Sequence, residues 1–495
     1  LIKESFRKKL KNTEISKEEQ MGNYIGVDIG TTNIKALYLN AQGEVAMTLS
    51  KKTPYCNRDH VCFFDMAKIE KITDEMIQTI SESEKVDGIA FSSVGESVVP
   101  IKGNKRVNDP LLWSDNVTEK VWKERQEEIL NLIPPKISGL MNTKFYSIYK
   151  ILWMIETIEE CKDIDDWLPI NSYLAFRLTG EKIIDYSQAC RMLLLDIHKR
   201  AWHTPVLESL NIPFSKELSL RYMGSSVGDY KRMKVYIGGH DHIAGLFGIT
   251  LMMDTHKLYY DSMGTAEAVA LLTQEKNYEM RRTEEFCKTG NIGVGFKDHE
   301  YYVLKTAHNY GRIMEWLYKT AFNGRGNLDF EEINQRIDMK RPINHFIMAE
   351  ADPLTPEWVK GICLTGDVYR NSPEDYILNG YLYLGYLSQY ILNFIEENFG
   401  SHPEYDYITG GGITNNTLFM QIKATMLNRT LAVLDTREIT GLGTALAAAK
   451  GHGDWETIDN VRNRVGVKYY HPVDHLRPLI QEKVEKMDAF YRQLS

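Results

Sequence analysis

The 495-residue sequence lacks the features that mark several common protein classes. Its six cysteines (Cys56, Cys62, Cys161, Cys190, Cys287 and Cys363) are scattered, with no C-x-x-C pair. This argues against a disulfide scaffold or a zinc framework and for free thiols in a reducing compartment. No apolar run reaches the roughly 18 residues that a membrane-spanning helix needs. The first twenty residues are too charged for a secretory signal. Met21 is the natural-looking start, so residues 1–22 are read as an extension outside the fold. Basic residues are not in excess: 59 Lys and Arg stand against 67 Asp and Glu, a formal net charge of −8. Nucleic acid as the main partner is therefore disfavoured, because a phosphate backbone calls for concentrated cations. A single nucleotide is not. The absence of a G-x-x-x-x-G-K-[ST] sequence sets P-loop enzymes aside. No low-complexity segment or short-period repeat is present. The expected setting is the cytoplasm.

What is present is a globular composition, 43% hydrophobic and 25% charged, with enough apolar surface for more than one core. Asn23–Asp28 reads as a short apolar strand ending in an acid, followed by the turn Gly30-Thr31-Thr32. Ile34–Leu39 and Glu44–Ser50 continue it as an antiparallel meander. A similar passage returns half a chain later. Lys257–Tyr260 leads into Asp261-Ser262-Met263-Gly264-Thr265, and Ala266–Leu272 follows as a partner strand. Two strand–Gly-Thr hairpins predict a duplicated architecture with a seam near residues 249–256. Strands near Val86–Ser92, Val235–Ile237, Tyr405–Thr409 and Leu431–Leu434 alternate with helical patterns over Ile148–Ile155 and Tyr383–Ile395. The fold class is α/β.

Four motifs could carry chemistry. In Asp28-x-Gly30-Thr31-Thr32-Asn33-Ile34-Lys35, a glycine turn can bring backbone N–H groups and hydroxyls against phosphate. Asp28 would suit a hydrated Mg²⁺ and Lys35 a phosphoryl group, although an ordinary hairpin uses the same turn residues. Asp261–Thr265 gains meaning only as a partner to the first motif. In Gly238-Gly239-His240-Asp241-His242, Asp241 reads as a base that takes a hydroxyl proton, as the cap of the following helix, or as part of a metal site with His240 and His242. Thr409-Gly410-Gly411-Gly412, running on to Asn415-Asn416, is a strand-to-helix turn on which a flat ring or phosphate can lie.

In this order and at this spacing, DIGTTNIK, GGHDHIAGLFG and GGGITNNTLFMQ resemble the FGGY family of carbohydrate kinases over roughly residues 23–452. The resemblance implies two actin-like ATPase (ribonuclease H-like) domains with an interdomain active-site cleft, with ATP and Mg²⁺ as cofactors. It assigns residues 23–250 to a sugar-binding domain, 251–455 to a nucleotide-binding domain and 456–495 to a helical tail. It implies Asp241 as catalytic base, and Asp28 with Asp241 at the metal. Gly30, Thr31, Thr32, Lys35, Gly264, Thr265, Gly411, Gly412 and Asn416 would contact phosphate or nucleotide. Glu96, Trp113, Asp115, Asp241 and His242 would face the sugar.

Some positions depart from the family pattern. Val117 stands where an Arg usually follows the W-x-D signature, Gly95 where glycerol kinase carries a substrate-binding Arg, and Thr425 where an Asp is common. No G-E-R segment occurs within residues 345–360. These departures point away from glycerol and towards a ketose or a sugar alcohol of four to six carbons. The expected partner is that small molecule, with no nucleic acid and no membrane, and a homodimer is compatible with the sequence. An actin-like ATPase switch and a metal-dependent hydrolase using His240 and His242 are the competing readings.

Overall fold

The computed structural model describes residues 21–215, 218–264, 266–274, 284–307, 310–322, 330–350, 361–367, 371–436 and 438–492. Residues 1–20, Thr265 and 351–360, which bear on the expectations above, lie outside them. The chain forms two compact units. The first takes its described residues from 1–138, 144–255 and 438–465, and the second from 139–143, 256–437 and 466–495.

The first unit is built on β1 (Tyr24–Ile29), β2 (Asn33–Leu39), β3 (Val45–Lys52), β4 (Gly88–Ser93), β5 (Ser226–Tyr230) and β6 (Met233–His240), in the order β5-β6-β4-β1-β2-β3. The meander β1-β2-β3 is antiparallel, whereas β4 and β6 add in parallel beyond β1. All six residues of β4 are buried, as expected of a parallel strand covered on both faces. β3 at the edge is largely exposed.

The second unit repeats this pattern. Its strands are β7 (Leu258–Met263), β8 (Glu267–Gln274), β9 (Gly290–Val294), β10 (Glu300–Ala307), β11 (Asp406–Gly410), β12 (Leu431–Leu434) and β13 (Val467–Tyr470), in the order β9-β10-β8-β7-β11-β12-β13. Again an antiparallel β7-β8-β10 set is extended by two parallel strands, β11 and β12. The duplication expected from the two hairpins is thus present in the register of both sheets.

Close backbone approach explains why residues 438–465 belong to the first unit and not to the span 251–455 read as one domain. The helix Ile439–His452 lies against β1 and against the helix Asp241–Met252 through glycines. A Cβ on Gly26 would sit 2.3 Å from the Gly441 carbonyl oxygen, and one on Gly443 would sit 2.1 Å from that of Ala244. Gly441-x-Gly443-Thr444-Ala445 is therefore a packing stripe. The stretch after residue 455 is likewise divided. Its helix Trp455–Arg464 stays with the first unit, while β13 is an edge strand of the second sheet. No described helix is long and apolar enough to cross a membrane.

Candidate active site

Asp28 is the penultimate residue of β1, and its Oδ1 accepts a 2.9 Å hydrogen bond from Ser92 Oγ, the penultimate residue of the parallel neighbour β4. Ser92 is in turn bonded by Thr444 Oγ1 at 2.8 Å. Burial, and then the negative charge of Asp241, push the Asp28 carboxyl up to about 7, against the pull of Ser92 and Lys35. The turn after Asp28 is held through its carbonyls. Gly30 O accepts from Thr53 Oγ1 at 2.7 Å, Thr32 O from Thr53 N at 3.1 Å, and Thr31 O from the Tyr55 hydroxyl. Trp113 Nε1 donates to Thr31 Oγ1 at 2.8 Å, so this half-buried indole braces the turn. Lys35, expected to serve a phosphoryl group, has its ammonium 2.9 and 2.7 Å from the two carboxylate oxygens of Glu438.

β6 delivers the second cluster. Gly239 has φ +86°, and a Cβ there would meet Met223 Sδ and Ser187 Oγ at 2.8 Å, so the strand can turn into the helix Asp241–Met252 only with glycine at this point. His240 N donates to Ser187 Oγ at 2.8 Å. Asp241 Oδ1 accepts from His242 N at 2.7 Å and faces His242 Nδ1 at 2.9 Å and His240 Nε2 at 3.3 Å. No described residue bonds its Oδ2. Burial opposes ionisation of Asp241, but the His242 and His240 imidazoles and the hydrogen bonds from His242 outweigh it and hold the carboxyl well below the usual range. The Asp241 charge raises His242, whereas burial pushes His240 down to about 4.

Glu96 is 7% exposed and has φ +63°, an uncommon conformation for a non-glycine residue. Its carbonyl accepts from Ser147 Oγ at 3.1 Å, and its Oε1 receives the Arg191 guanidinium, with Nε at 2.5 Å. Gly95 is explained by the same cluster. A Cβ there would lie 2.8 Å from His240 Cδ2 and 3.2 Å from Arg191 Cγ, so the place of a side chain at 95 is taken by residues from elsewhere in the chain. Beside them Lys150 is fully buried, donates to Phe145 O, and is pushed down to about 7 by burial against the attraction of Glu96 and Asp115. Asp115 accepts from Cys62 N at 2.9 Å and from Val117 N at 2.9 Å, so both of its oxygens bond backbone.

The structure thus brings Asp28, Thr31, Lys35, Glu96, Trp113, Asp241 and His242 into linked networks of one unit. It adds Ser92, Lys150 and Arg191, which carried no motif in the sequence. Only the register of β1 with β4, the helix Ser147–Thr157 and the segment following Ala189 bring them in.

In the second unit Gly264 N donates to Ala266 O at 2.9 Å and closes the hairpin turn; Thr265 is outside the described residues. Gly411 has φ +109°, and a Cβ there would be 1.9 Å from Met263 O, so this glycine is required by the neighbouring strand end. A Cβ on Gly412 would meet nothing within 4 Å. Asn416 is fully buried and caps the helix Thr417–Leu427, accepting from Phe419 N at 3.0 Å and donating to Tyr381 at 2.6 Å. Beneath the hairpin, Lys423 is completely buried with Asp261 and Glu267.

Two ribonuclease H-like sheets, one with a carboxylate beside its glycine turn and a second carboxylate at a parallel strand end, define an actin-like phosphotransferase fold. The chain belongs to the FGGY family of carbohydrate kinases: the family's N-terminal domain matches residues 23–248 and its C-terminal domain residues 386–452. It is 22% identical over 469 residues to a xylulose kinase of Bacillus subtilis, covering 88% of this chain and 89% of that protein. It is 24% identical over 468 residues to a glycerol kinase of Bacillus cytotoxicus, covering 88% and 92%. In fold it is similar to the crystal structure of Plasmodium falciparum glycerol kinase with ADP, with a TM-score of 0.81, 18% identity, and 96% and 99% of the two chains covered.

Proposed function

We propose that this kinase transfers the γ-phosphoryl group of ATP to a hydroxyl of a ketose or sugar alcohol, with Asp241 as the general base. The observation that carries this reading is the division of labour within one carboxylate. His242 holds Asp241 Oδ1 through its backbone N–H and its Nδ1, with His240 Nε2 3.3 Å away, while Oδ2 accepts no hydrogen bond from a described residue and keeps its lone pairs for a substrate proton. Its lowered affinity for protons keeps it ionised at neutral pH. As the sugar oxygen attacks phosphorus, its proton passes to Asp241 Oδ2 and the bond to the ADP oxygen breaks. In a loose phosphoryl-transfer transition state, positioning of this kind matters more than base strength.

Asp28 and Asp241 also fit a divalent cation, because each raises the cost of charging the other and a cation relieves both. Mg²⁺ held there would neutralise charge on the phosphates. The Gly30 N–H closes the turn on Asn33 O at 3.1 Å, so the backbone N–H groups of Thr31 and Thr32 are assigned to phosphate, and Gly264, Gly411 and Gly412 to the nucleotide. Glu96, oriented by Arg191, reads sugar hydroxyls together with His242. Trp113 and Asp115 act by holding the Thr31 turn and the loop before Val117. Glycerol is disfavoured, since no side chain projects at Gly95.

Asp241→Asn should leave the fold and ATP affinity intact and lower kcat by about 10²–10⁴. The measurement is sugar-dependent ADP release across a panel of ketoses and polyols; unchanged turnover would remove Asp241 from the role of base.

A further inference from the structure

His240, Asp241 and His242 form a polar cluster whose atoms also have the arrangement of a metal site. We infer that these three residues bind one first-row transition ion of the zinc type, and that its binding blocks phosphoryl transfer. The binding claim is independent of the proposed reaction; the blocking claim rests on Asp241 being the base.

His240 Nε2, Asp241 Oδ1 and His242 Nδ1 all lie within 4.8 Å of one another. The two edges at the carboxylate measure 3.3 and 2.9 Å. A tetrahedral ion with bonds of about 2.0–2.1 Å sets its ligand atoms roughly 3.3–3.4 Å apart. Two of the three edges are therefore near their bound lengths before any ion arrives, and only the edge between the imidazoles has to adjust. The mobile partner for that adjustment is His242, whose side chain is 49% exposed, while His240 is 9% exposed and fixed against Gly95. The two rings lie nearly parallel, 19° apart, with centroids 5.7 Å apart.

The donor set decides the class of ion. Two imidazole nitrogens and one carboxylate oxygen suit zinc or cobalt, whereas Mg²⁺ takes oxygen ligands in an octahedron and gains little from imidazole. Three protein ligands leave a fourth position for water. An ion here takes the place of the imidazole contacts to Asp241 Oδ1 and ties that carboxylate to itself. The buried His240 Nδ1 has no hydrogen-bond partner among the described residues. Outer partners of ligating histidines are worth about 10–100-fold in affinity, so binding should be weaker by about that factor than at a site whose histidines have them.

The test titrates metal-free full-length protein with Co²⁺, without ATP or sugar, and reads the visible d–d absorption of low-coordinate cobalt; equilibrium dialysis with Zn²⁺ gives the stoichiometry. One ion per chain is expected, retained in millimolar Mg²⁺, with affinity at least about 10-fold weaker in His242→Ala. His242 is half exposed, so this variant should fold; His240→Gln, checked by circular dichroism, provides the second variant. No saturable binding, or equal binding in both variants, overturns the site. Zn²⁺ at constant Mg·ATP should then inhibit sugar-dependent ADP release, and His242→Ala should resist inhibition relative to its own metal-free rate. Binding without inhibition overturns the blocking claim alone. A bound ion in a chain with no sugar-dependent turnover leaves the site standing and removes the kinase mechanism.

Discussion

At the scale of single residues, the site depends on groups that position other groups. Arg191 is the clearest case. Its guanidinium holds the buried Glu96, and its stem lies where a side chain at position 95 would project. Hydrogen bonds to charged groups contribute about 1.5–3 kcal/mol, and 1.36 kcal/mol corresponds to tenfold. Arg191→Ala should therefore raise KM for the sugar about 10- to 100-fold while changing kcat less. Arg191→Lys should restore only part, because an ammonium cannot reproduce the planar fork. Steady-state kinetics on both variants separate the two parameters, and an unchanged KM would show that Glu96 does not read the substrate. Asp28 and Asp241 were legible as isolated acids at strand ends. Their mutual repulsion was not, because it arises only once β1 and β6 lie on either side of β4 in one sheet.

At the scale of elements, the two hairpins share a topology but differ in chemistry. In β1 the residue two places before the turn glycine is Asp28; in β7 the corresponding residue is Ser262. The second hairpin has its acid one place earlier, at Asp261, and buries it against Lys423 together with Glu267. The first hairpin thus presents a carboxylate for chemistry, whereas the second uses its carboxylate to fix the strand. Removing one partner of a buried ion pair costs about 3–5 kcal/mol. Lys423→Met should destabilise the chain by about that amount, read as a lowered urea midpoint. A neutral effect would mean that the three groups are not a charged cluster in the folded protein. Nothing in Asp261-Ser262-Met263-Gly264 announced this role, since Lys423 comes from a helix more than 150 residues later.

For the molecule as a whole, acid sensitivity follows from histidines folded in their neutral form. His345 is 1% exposed, and neither of its ring nitrogens has a hydrogen-bond partner among the described residues. Burial pushes it down to about 4, with Asp375 opposing. The unfolded chain binds a proton at this side chain below about 6.5, but the folded chain does so only near 4. Its contribution is therefore complete above pH 6.5 and is lost as pH falls from 6.5 towards 4, by up to about 3 kcal/mol. Denaturation midpoints measured from pH 7.5 to pH 4.5 should fall, and His345→Gln should flatten that slope by about one proton. An identical slope in the variant would show that His345 is not the titrating group.

The sequence by itself determined the strands, the duplicated hairpins and the acids at their ends, because local propensity, turn glycines and alternating burial act over a few residues. It also carried the family's motifs in order. Only the tertiary structure decided that residues 438–465 return to the first unit, since that outcome depends on glycines meeting backbone from far along the chain: Gly26 against Gly441, and Gly443 against Ala244. The same holds for Arg191 beside Glu96 and for the crowding that makes Gly95 necessary. Spacing along the chain records what a residue's neighbours are in sequence, and these contacts form only when parallel strands and a late helix close on one another.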